Sequence, residues 1–78
     1  MDFIILKDLK PIPIEAKAKY FKKPLITQSM RSFINTYKPS TAFVINLNLN
    51  EEIKIDSCLV RFINVQSFTE SFDIQWLR

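Results

Sequence analysis

Seventy-eight residues without a single glycine must turn every corner with a side chain in the way. Average usage would supply about five glycines, and the tight turns that need positive φ ordinarily take one. Asparagine is the next best residue for a left-handed position, and proline fixes the backbone elsewhere. The four prolines and Asn50 are therefore where stiff connections are expected.

The same absence removes chemistry. A phosphate-cradling loop of the Walker or dinucleotide-binding kind needs backbone that can approach a pyrophosphate unobstructed. The chain also has no histidine, which takes away the usual general base at neutral pH and the commonest metal ligand. Cys58 is the one cysteine. With nothing to activate it, it reads as a buried structural thiol, and an internal disulfide is impossible. Glu51 and Glu52 fall in an expected loop and read as solvated acids. The expectation is a protein that is not an enzyme and that uses no metal and no cofactor.

Length and a hydrophobic fraction of 47% fit a single small globular domain over residues 1–78. The first residues, Met1-Asp2-Phe3-Ile4-Ile5-Leu6-Lys7, lack the basic start and long apolar run of a signal peptide, and no stretch approaches bilayer length. A soluble, cytoplasmic chain is expected.

Hydrophobic periodicity gives the elements. Phe3 to Leu6 is a continuous apolar run, expected as a strand buried on both faces and stopped by Pro11 and Pro13. From Ile14 to Tyr20 the pattern alternates, with Ile14, Ala16, Ala18 and Tyr20 inward and Glu15, Lys17 and Lys19 in water. Met30, Phe33, Ile34 and Tyr37 recur at helical spacing, predicting a helix over 28–37 with Thr27 as N-cap and Pro39 as stop.

Phe43, Ile45, Leu47 and Leu49 alternate with Val44, Asn46 and Asn48. The pattern resumes at Ile53 and Ile55, so a hairpin is expected with Asn50-Glu51-Glu52 as its loop. Leu59 to Val65 is strand-like with a blurred phase, as a bulge or two-sided burial would cause. At the C-terminus, Ser67 and Glu70 have capping-box spacing and Phe68, Phe72 and Trp76 recur every four residues, yet Phe72, Ile74 and Trp76 also alternate. The β-branched and aromatic content favours a last strand. The sum is an α+β fold: a two-layer sandwich of an antiparallel sheet of four to five strands with one helix on one face.

Charge is distributed unevenly. Residues 1–40 carry eight cations against three acids, a net +5, and residues 41–78 carry three against five, a net −2. Lys17, Lys19, Lys22 and Lys23 interleave with Tyr20 and Phe21, a pattern suited to phosphate contact with base stacking. Lys22 and Lys23 also precede the helix N-terminus, where free N–H groups favour an anion. Arg31, Asn35 and Lys38 take the wet side of the same helix. These seven are the candidate partner- or anion-binding residues, and Phe68, Phe72 and Trp76 are the candidate interface for docking or homodimerisation. The leading expectation is a small interaction protein (adaptor, inhibitor or small subunit) docking on a larger protein assembly through its basic face. The alternative is a nucleic-acid-binding module using segment 17–23.

Overall fold

The computed structural model describes residues 2–76, with side chains as far as Glu70. The chain opens with a hairpin: β1 (Phe3–Lys7) pairs antiparallel with β2 (Lys10–Ala16), Lys7 opposite Lys10 and Phe3 opposite Ile14. The two-residue turn has φ of 53° at Asp8 and 66° at Leu9, the doubly left-handed form that follows the twist of the flanking strands. Pro11 and Pro13 therefore do not stop a strand; they lie inside one. In a two-residue hairpin the bonded pairs are Lys7–Lys10, Ile5–Ile12 and Phe3–Ile14, so both prolines fall at positions whose missing N–H points away from β1. On that far side β2 meets the next strand only over Ile14 to Ala16, beyond the prolines.

After β2 the chain crosses through α1 (Gln28–Tyr37) into β3 (Thr41–Asn46), which lies parallel to β2. This is a β-α-β unit, the connection that parallel neighbours require. The helix falls where periodicity predicts. The Thr27 hydroxyl accepts from the Met30 N–H at 3.1 Å. Lys38 closes the other end in the left-handed region at φ 49°, donating its N–H to the Ile34 carbonyl at 2.9 Å. Of the apolar stripe, Met30 and Ile34 are buried; Phe33 is half-buried and stacks on the exposed Tyr37, ring centroids 4.6 Å apart.

β4 (Glu51–Ile55) and β5 (Cys58–Asn64) complete a five-stranded sheet of order β1-β2-β3-β5-β4. β3 pairs with β5 in parallel, and β4 pairs with β5 antiparallel, so the sheet is mixed rather than antiparallel. The expected hairpin around residues 50–52 does not form, because β4 goes to the sheet edge and β5 returns between it and β3. The true hairpin turns at Asp56, φ 55°, and Ser57. What ends β3 is the buried Asn46 side chain. Its amide donates to the carbonyls of Val44, Leu49 and Ile63 at 3.1–3.3 Å, and its Oδ1 accepts from the N–H groups of Asn48 and Leu49. Five polar contacts on one side chain fold residues 47–49 back and redirect the chain.

Two-sided burial accounts for the blurred phase of β5. Cys58, Val60 and Phe62 join Met30, Ile34, Ala42 and Val44 in the core under α1, while Leu59 and Ile63 are half-buried on the opposite face. The last element is a helix, α2 (Val65–Trp76), where composition favours a strand. Both edges of β5 are already paired, and the Asn64 Oδ1 accepts from the Ser67 N–H at 2.9 Å, an N-cap that starts a helix. Among the described residues no helix is long and apolar enough to cross a membrane.

Candidate docking surface

The basic segment after β2 is irregular, not the strand that alternation suggests, yet it is fixed in place. Lys17 donates its N–H to the Ile45 carbonyl at 2.7 Å, and Leu47 donates to the Lys19 carbonyl at 3.2 Å. The Asn48 side chain then pairs with the Phe21 backbone, Oδ1 accepting from its N–H and Nδ2 donating to its carbonyl, both at 2.9 Å. An amide mimics one rung of a ladder, so the asparagine run holds the lysines against the end of β3. Phe21 anchors the segment by packing edge-on against Phe62, ring centroids 5.6 Å apart. Lys19 Nζ lies 4.8 Å from the centre of the Phe21 ring, a contact that partly satisfies this cation.

Glu15 overturns the alternation. Expected in water, it is buried, and both carboxylate oxygens lie within 3.0 Å of the Thr27 hydroxyl. Register explains this: Glu15 sits opposite Val44, a core residue, so it shares the α1 face. One hydroxyl thus serves two partners, donating to Glu15 and accepting from Met30. The positive end of the helix dipole meets a carboxylate from the chain's own β2. Lys17, Lys19, Phe21 and Leu25 rim a shallow cavity of about 170 Å³ above it.

The seven candidate residues fall into two groups. Lys17 and Lys19 rim the cavity over Glu15, with Lys22 and Lys23 exposed just beyond in the chain. Arg31 and Asn35 line a separate depression with Ile55 and Asp56, and Lys38 lies with Asp56 and Ser57 in an adjoining one. Among the described residues no carboxylate pairs with Lys17, Lys22, Lys23, Arg31 or Lys38. The ion pair that does form is in the other half, Arg61 Nε to Glu52 Oε2 at 2.8 Å, with the guanidinium carbon 5.8 Å from the Phe43 ring centre.

Of the aromatic interface residues, Phe68 is half-buried on α2, and the side chains of Phe72 and Trp76 lie outside the described residues. Cys58 is buried in the core, and burial raises its thiol pKa above the ordinary value, which favours the protonated thiol over the thiolate. Sequence reasoning missed Glu15, whose neighbours give no sign of inward register. It also missed the tethering role of Asn46 and Asn48, which three asparagines at alternate positions in a glycine-free chain do signal. Comparison with protein-family models, curated proteins and solved structures finds no match.

Proposed function

We propose that this chain is a small non-enzymatic interaction protein, an adaptor, inhibitor or small subunit, docking on a larger protein assembly through its basic face. The observation that carries this reading is the set of unpaired cations: Lys17, Lys22 and Lys23 on the segment that Asn48 and β3 tether through Lys17, Lys19 and Phe21, and Arg31 and Lys38 on α1 and its C-cap. A surface fixed before binding loses little entropy when a partner arrives. Acidic side chains of the partner supply the missing counter-charges, steering the encounter and fixing its register. The buried free thiol suits a reducing compartment such as the cytoplasm.

A second reading rests on one residue. Tyr20 is 74% exposed between Lys19 and Lys22, an arrangement that suits stacking on an unpaired base beside phosphate contacts. Affinity purification from native cells, with and without nuclease, separates the two. Under the leading reading the bound protein survives nuclease, and Lys22→Glu with Lys23→Glu abolishes its retention. Under the second, nuclease releases it, binding to single-stranded oligonucleotide falls log-linearly with salt, and Tyr20→Ala weakens it. A retained set unchanged by the double charge reversal overturns both.

A further inference from the structure

We infer that β1 is a self-association edge, through which a second copy of this chain adds antiparallel to extend the sheet. β1 is the outermost strand on its side. In the β1–β2 ladder Phe3, Ile5 and Lys7 bond inward to β2, so the N–H and C=O groups of Ile4 and Leu6 point outward, where no strand among the described residues receives them. The side chains are as unprotected as the backbone: Phe3 is 60% exposed, Ile4 54% and Leu6 68%. Between Asp2 and Lys7 no charge guards the edge, although exposed edges are ordinarily guarded. The opposite edge follows that rule, with Glu51, Glu52 and Lys54 in β4.

The strand's own order selects the occupant. A two-fold axis normal to the sheet keeps each face on its own side, so paired residues must share a face. Centred on Ile5, this operation sets Ile5 against its copy and Ile4 against Leu6 of the second copy. The outward-bonding residues Ile4 and Leu6 then form the bonded pairs, and Phe3 lies against the aliphatic stem of Lys7 of the second copy. The three central rungs are apolar, and the Lys7 ammonium at each end stays in water. Such a contact closes at two copies, whereas β1 against β4 would set apolar side chains on three charges and propagate without end. One strand pair with its flanking side chains is smaller than a standard interface, so the dimer dissociates on dilution.

Sedimentation of the whole chain over a concentration series tests this. A reversible monomer–dimer equilibrium is expected, with the N–H groups of Ile4 and Leu6 gaining exchange protection as dimer forms. Leu6→Lys puts an ammonium opposite Ile4 and weakens association about tenfold or more; because Leu6 is exposed, circular dichroism of the variant stays unchanged. For register, Ile5→Cys with Cys58→Ser oxidises to a covalent dimer, since facing unbonded positions hold their Cα atoms about 4.5 Å apart. Phe3→Cys with Cys58→Ser does not. A chain monomeric at every concentration, an association that Leu6→Lys leaves intact, or cross-linking through position 3 in place of 5 each overturns the proposal.

Discussion

Among the described residues, four occupy the left-handed region: Asp8, Leu9, Lys38 and Asp56. None is an asparagine, although asparagine is the expected substitute for glycine. The asparagines act through their amides instead: Asn46 knots the turn after β3, Asn48 tethers Phe21, and Asn50 Oδ1 accepts from the Asn64 N–H at 2.8 Å. The expectation that asparagine takes the left-handed positions thus fails, and strand register decides which residue bears the strain. Leu9 is the least suited of the four, an apolar side chain 92% exposed at φ 66°. Left-handed backbone costs an ordinary residue about 1 kcal/mol or more relative to glycine. Leu9→Gly therefore stabilises the fold by about 1 kcal/mol, and in a domain this size thermal unfolding moves up by about 4–8 °C. Differential scanning calorimetry checks it, and an unchanged or lower midpoint rules out strain at Leu9.

At the scale of elements, α1 was readable because its stripe, cap and stop agree, and α2 was not, because apolar residues there fit two periods at once. The junction between β2 and α1 was invisible for another reason. Glu15 and Thr27 are twelve apart in sequence, and only the parallel register brings them together. Thr27→Ala removes a helix cap, at a cost of about 0.5–2 kcal/mol, and also strips Glu15 of its hydroxyl donor. The two losses are coupled, so the combination with Glu15→Gln is expected to be non-additive by about 0.5–3 kcal/mol. Urea unfolding of the two single variants and the double variant measures this coupling. Additivity within error would mean that the buried carboxylate and the helix cap act separately.

Over the whole molecule, the α+β layering follows from periodicity, but strand order does not, since nothing local distinguishes a β4 that pairs with β3 from one that passes to the edge. That order puts β3 and β5 at the centre and concentrates the tightly packed side chains under a single helix. At ordinary stability per residue a chain this long has about 4–12 kcal/mol in hand. Phe62, buried beneath α1 and in edge contact with Phe21, fills the largest share of that core. Phe62→Ala is expected to cost about 3–5 kcal/mol, enough to consume much or all of the margin. The Arg61–Glu52 pair next to it in sequence and register is half-exposed on the other face, and Arg61→Ala is expected to cost about 1 kcal/mol or less. Neighbouring residues of one strand should therefore differ several-fold in consequence when their denaturation midpoints are compared. Because Phe62 also supports Phe21, its loss should free the Lys17 to Lys23 segment. Basic-face binding would then weaken even at low temperature, where the variant still folds, while Arg61→Ala would leave it unchanged.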